Sequence, residues 1–238
     1  MQIASRQPLW DERRVHDGRT MLALRAGPCM TARIAVGRLA PGSRSVTVDW
    51  GDGTVETLPG IDGRTHTYAA EREYRVAISD DLASFGYTAF RVNDEGSRDM
   101  LREVISVGRK VASITNYGFN NCHNLRGVIE LPGVTEIGSY AFGSAYGITD
   151  FILPSVPRLS QTAFYSNPSP TQIHADNATR IDQWFWDFYG PHLRDIYLRA
   201  STCKRILAMG GFPFRAPASA RFHGSDGTVL GNRTVVRE

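Results

Sequence analysis

Leu125-Arg-Gly-Val128-Ile-Glu-Leu131-Pro-Gly-Val134-Thr-Glu-Ile137-Gly-Ser-Tyr-Ala141-Phe142 is the stretch that decides the fold, because its apolar positions recur on both sides at a nearly fixed interval. Ile114, Ile137, Leu159 and Ile181 are spaced 23, 22 and 22 residues apart. Five residues after each stands an aromatic: Phe119, Phe142, Phe164 and Trp186. A second aliphatic series, Leu101, Leu125, Ile148 and Leu193, keeps the same period, with a weaker Thr171 in the fourth turn. Three residues beyond its members lie Val104, Val128, Phe151 and Ile196, with His174, or Ile173 in its place, in the weak turn. A period of this length marks units that cannot bury an apolar face alone and do so by stacking. Ile114, Phe119, Leu125, Ile137, Phe142, Ile148, Leu159, Phe164, Ile181, Trp186 and Leu193 are therefore expected to form the column of a solenoid core.

The quoted unit, and the preceding Ile114 to Leu125 with its Phe119-Asn-Asn-Cys122-His-Asn-Leu125, resembles the BspA-type leucine-rich repeat, over about Leu101 to Leu198. The resemblance implies short strands joined by tight turns, and a protein of a bacterial or protist surface that binds host matrix or other cells. Departures gather in the third and fourth turns, at Pro157, Pro168, Pro170 and the run Trp184-Phe185-Trp186-Asp187-Phe188-Tyr189. Prolines withhold backbone donors, so irregular loops are expected to protrude there, where solenoids commonly carry function.

Upstream the period changes to two. Ile34 and Val36, then Val46, Val48 and Trp50, then Tyr74, Val76 and Ile78 alternate between Gly, Pro and Asp clusters, as half-buried strands do. Gly51-Asp52-Gly53-Thr54 is a tight-turn sequence, so Val46 to Trp50 and Thr54 to Leu58 should pair. The residues Val46-Thr-Val-Asp-Trp50-Gly-Asp-Gly-Thr54, His66-Thr-Tyr68 and Tyr74-Arg-Val76-Ala-Ile78 resemble a PKD domain, which implies an immunoglobulin-like β-sandwich used extracellularly as a spacer or adhesive module. Arg72 departs from that pattern, which usually has glycine two residues before the tyrosine.

The expected fold class is mainly β: a PKD-type sandwich with an N-terminal extension at 1–80, a connector or cap at 81–100, repeats at 101–198 and a C-terminal cap at 199–238. Ser201 to Met209 has helical spacing after a Ser/Thr cap and before Gly210-Gly211, and Phe222 to Leu230 reads as a closing hairpin with an Asp226-Gly227 turn.

The charge balance is small, 27 basic against 24 acidic residues, with the basic residues dispersed along the chain, which argues against a nucleic-acid partner. No stretch approaches the ~18 to 20 apolar residues of a membrane span, and Met1 to Trp10 shows no apolar leader segment. Cys29, Cys122 and Cys203 lack C-x-x-C spacing and read as free thiols. Asp49 and Asp52 lack the oxygen spacing of a calcium loop and read as turn formers. His66 reads first as a packed strand residue. His16, His123, His174, His192 and His223 show no metal-ligand spacing, and Gly143-Ser144-Ala-Tyr-Gly147 misses the nucleophile-elbow pattern by one place. Asp80, Asp81, Asp94, Glu95 and Asp99 read as a solvated connector.

These readings lead to a non-catalytic recognition protein without a cofactor or metal, displayed on a cell surface or a phage particle and binding a protein or glycan. The alternative is a structural, oligomerising subunit of an appendage. A glycan-active enzyme is a third reading, without a signature to support it. Trp184, Phe188 and Tyr189 are the candidate ligand-binding residues, since one inward position per turn does not account for every ring of the run; a core or capping role for them is the competing reading.

Overall fold

The computed structural model describes residues 18–89, 95–160, 162–182, 192–208 and 220–231. Eight strands come first: β1 (Thr20–Ala26), β2 (Thr31–Ile34), β3 (Val36–Leu39), β4 (Val46–Asp49), β5 (Val55–Leu58), β6 (Arg64–Thr67), β7 (Arg72–Ile78) and β8 (Leu82–Gly86). The short helix α1 (Glu95–Met100) leads into β9 (Leu101–Ser106). The repeats then alternate two-residue and longer strands: β10 (Ser113–Ile114), β11 (Arg126–Glu130), β12 (Glu136–Ile137), β13 (Gly147–Ile152), β14 (Arg158–Leu159), β15 (Gln172–Ala175), β16 (Arg180–Ile181) and β17 (Asp195–Leu198). Helix α2 (Ala200–Ala208) and the strands β18 (Arg221–Gly224) and β19 (Val229–Gly231) follow.

The expected hairpin forms between β4 and β5, with Val46 opposite Leu58 and Asp49 opposite Val55. Its turn is held by carboxylates: Asp49 accepts from the Gly51 N–H and Asp52 from the Thr54 N–H, each at 2.9 Å. Gly51 sits at φ 79°, and a Cβ there would lie 2.5 Å from the Arg75 carbonyl oxygen, so the strand β7 approaches too closely for any side chain. Behind the turn, Trp50, His66, Tyr68 and Tyr74 form a run of ring contacts, and the Tyr68 hydroxyl donates to the Trp50 carbonyl at 3.1 Å.

The sheets run across the sequence divisions. β5-β4-β7-β1-β9 is one sheet, so the strand that opens the repeats pairs antiparallel with β1. β3-β8-β10-β12 is another, in which β8 pairs antiparallel with β3 and parallel with β10. One cluster of buried residues extends from Leu22 to Phe222 without a break at residues 80 or 100.

In the repeats, β11, β13, β15, β17 and β18 form parallel ladders on one side, and β10–β12 and β14–β16 pair in parallel on another. This is a mainly β solenoid of about four turns. Ile129, Phe151, Ile173, Ile196 and Phe222 lie in register and are all buried. One position corrects the expected series: Ile129 takes the inward slot in place of Val128; in the weak turn the slot goes to Ile173, one of the two residues the period allowed there. The β11–β13 register shifts between Gly127 and Val128, with Gly127 at φ 87°, and this moves the inward side chain by one residue. Ile114, Phe119, Leu125, Phe142, Ile148, Leu159, Phe164 and Leu193 are buried, Ile137 is 9% exposed and Ile181 is partly buried. Trp186 lies outside the described residues. The rings of Phe119, Phe142 and Phe164 stack in sequence, with centroids 5.1 and 6.0 Å apart and planes within 7° and 11° of parallel.

Candidate recognition surface

The corners between the short and the long strands carry an array of outward rings that repeats from turn to turn. In the first described corner, 115–124, and the second, 138–146, equivalent residues hydrogen-bond from turn to turn. Tyr117, Phe119 and Asn121 donate their N–H groups to the carbonyls of Ser139, Ala141 and Gly143; Tyr140, Phe142 and Ser144 donate to Thr162, Ala163 and Tyr165. These bonds satisfy a backbone that is neither helix nor sheet. They also lock the corners in register, so each side chain lies over its counterpart.

Register makes rows. Tyr117 and Tyr140 stack at 5.3 Å with planes 6° apart, and Tyr165 packs edge-on against Tyr140 at 5.6 Å. Six residues on in each corner, His123 and Tyr146 stack at 5.1 Å and 14°. Tyr146 and Tyr165 are 44% and 42% exposed, the most exposed tyrosines described. Between the rows lie Asn121 and Ser144, with the half-buried amide of Asn120 donating to the Gly143 carbonyl at 3.1 Å. The surface is thus two lines of aromatic rings flanking a polar strip.

The backbone is strained at the ring-bearing positions. Tyr117 and Tyr140 have φ of 60° and 56°, and Asn121, Ser144 and Ser166 have φ of 58°, 56° and 57°. Left-handed conformations cost non-glycine residues on the order of 1–2 kcal/mol, and Asn bears them better than Tyr. Strain of this kind is concentrated at ligand-contacting sites elsewhere in proteins. Beneath the corner, Asn167 is wholly buried and donates to the carbonyls of Phe142 and Phe164 at 2.6 and 2.7 Å, which anchors the third corner to the second.

A second ring ladder lies on the outward side of the long strands. His174, Tyr197 and His223 are in register and stack at 4.1 and 4.6 Å, and His223 Nε2 lies 2.7 Å from Asp195 Oδ1. All three rings are half-buried. This ladder closes the repeat sheet across β15, β17 and β18.

The candidate ligand residues read from the sequence, Trp184, Phe188 and Tyr189, lie outside the described residues. The corner tyrosines escaped the sequence reading, although their signal is there: Tyr117 and Tyr140 are 23 residues apart and each precedes a core phenylalanine by two. His66 is packed: its Nε2 lies 2.7 Å from Asp52 Oδ2 and its ring stacks on Trp50 at 4.9 Å. Burial raises the Asp52 pKa, but hydrogen bonds from the Thr54 N–H and from His66 outweigh it and leave the carboxyl below its ordinary value. Among the described residues, no group of His, Cys, Asp and Glu is arranged to hold a metal ion, and no helix is long and apolar enough to cross a membrane.

Residues 100–207 match the BspA type leucine rich repeat region, in six copies. No curated protein and no solved structure matches the chain.

Proposed function

We propose that this chain is a non-catalytic recognition protein whose repeat corners bind a glycan or protein on a cell surface or in the surrounding matrix. The observation that carries the reading is the pair of in-register ring rows, with Tyr146 and Tyr165 exposed. Tyrosine offers a large rigid face and a polar tip at low entropic cost, which suits both sugar faces and protein anchors. The repeat match supports it, since such repeats serve binding more than catalysis. Display on a bacterial surface or a phage particle, and a PKD-type role for the N-terminal strands as a mount, belong to the same proposal. Trp184, Phe188 and Tyr189 extend the binding surface in this reading.

The test is a binding screen on glycans and matrix proteins with the parent chain and its Tyr146→Ala, Tyr165→Ala, Trp184→Ala and Tyr189→Ala variants. Loss of a captured ligand by the folded Tyr146 and Tyr165 variants supports the corner as the site. Undiminished capture by both overturns it.

A second reading, a structural subunit that self-associates, has its own observation. The terminal strands β5 and β19 carry Val55 and Val229 at 59% and 55% exposed, and unpaired edges are templates for another chain. A light-scattering mass of a single chain at high concentration removes this reading.

A further inference from the structure

An open groove of about 600 Å³ lies where β1, β7, β9 and β11 come together, lined by Ala23, Arg25, Glu73, Arg102, Glu103, Arg126 and Gly127. Its size falls within the ~300–1,000 Å³ of ligand clefts. Two small residues, Ala23 and Gly127, leave the space, and three guanidinium groups border it. Arg25 is paired with Glu71 at 3.2 Å. Among the described residues, neither Arg102 nor Arg126 has a carboxylate partner; Arg126 makes only a long 3.5 Å contact to the Asn124 carbonyl. Burial first, then the positive charges of Arg126 and Arg25, lower the Arg102 pKa, while Asp99 and Glu73 act more weakly in the opposite sense. Arg102 and Arg126 thus share the groove with the carboxylates Glu73 and Glu103 without pairing to either. Guanidinium presents a planar fork that matches a carboxylate in two hydrogen bonds. Glu73 at the same rim supplies acceptors for hydroxyl groups.

The groove also adjoins the aromatic corner. Arg126 is three residues from His123, whose ring stacks on Tyr146, and Asn124 between them donates to the Asp99 carbonyl at 2.9 Å. We infer that the Arg102–Arg126 groove holds a carboxylated sugar unit of an acidic polysaccharide whose neighbouring units cross the tyrosine corner. This rests on the recognition reading above and names its ligand class. The carboxylate takes Arg102 and Arg126, the sugar hydroxyls take Glu73, and the rings bind the chain beyond.

Titration calorimetry with oligogalacturonate and hyaluronan oligosaccharides, beside their neutral methyl esters and polyglutamate, tests the inference. The acids should bind at least tenfold tighter than their esters, and more weakly as salt rises. Arg102→Gln and Arg126→Gln, both surface changes verified by an unchanged melting temperature, should abolish that difference. Tyr146→Ala should weaken acid and ester alike. Equal binding of acid and ester, or unaltered acid binding in both arginine variants, overturns the groove and leaves the tyrosine corner standing. Polyglutamate binding as tightly as the oligosaccharides overturns the sugar. Binding of neither acid nor ester overturns the groove and removes polysaccharide from the recognition reading.

Discussion

Phe142 shows what one residue does in a stack of turns. Its ring meets Phe119 below, Phe164 above and Phe151 from the facing strand, so it serves three neighbours at once. Phe142→Ala should cost about 3–5 kcal/mol, read from denaturant melts, because stacked turns relax poorly around a void. Tyr140 is the contrasting case. Tyr140→Asn removes a stacked ring and relieves a left-handed strain of similar size, so stability should move by no more than about 1 kcal/mol. Glycan or matrix binding should nonetheless fall; a large loss of stability instead would make the ring a structural part. The thiols check burial directly. Cys122 is buried and its pKa is driven well above the ordinary thiol range by desolvation; Cys203 is raised by burial and by Asp226. Cys29 is exposed. One thiol per native chain should react with a disulfide reagent at neutral pH, and three after unfolding. Rapid reaction of all three in the native state would contradict the packing of the first corner.

At the level of elements, the turns chosen by Asp-Gly were legible in the sequence, since their geometry is local. The β4–β5 hairpin and the β18–β19 hairpin both stand where those dipeptides place them. The inward series was legible to within one residue. It slipped at Val128 because a register shift leaves no mark in a hydrophobic pattern beyond a glycine. The sharing of strands was not legible: β8 and β9 join sheets through partners far away in sequence, and pairing of that kind depends on which edges the folded neighbours leave open. The corner rings were missed for a different reason, because attention to inward periodicity discards outward positions that keep the same period. The C-terminal hairpin gives a pH test. Asp226 accepts from the Thr228 hydroxyl and N–H and faces Lys204 at 3.2 Å, which lowers its pKa to about 2 from an ordinary 3.8. A carboxyl depressed in the folded state stabilises above its unfolded pKa, so the contribution is present at neutral pH and is lost as pH falls from about 4 toward 2. Protection of the β19 amides relative to their intrinsic exchange rate at each pH should fall over that window, and Asp226→Asn should flatten the change. An equal fall in the variant would assign the effect elsewhere.

For the whole molecule, the decisive feature is that one core and two shared sheets join the N-terminal strands to the repeats. A sandwich and a solenoid linked only by a tether would melt separately; units sharing β1–β9 and β8–β10 ladders should unfold together. Calorimetry and near-ultraviolet circular dichroism should give one coincident transition, and two resolved transitions would show the shared strands to be weakly coupled. The same continuity fixes the arginine groove against the tyrosine corner, so a ligand long enough to meet both finds them preset. The most direct test of recognition at the corner is hydroxyl-radical footprinting of the tyrosines, with and without a saturating ligand from the screen. Protection of Tyr146 and Tyr165 on binding is the result this account predicts. Protection confined to Trp184, Phe188 and Tyr189, with the corner tyrosines still oxidised at the free rate, would contradict it.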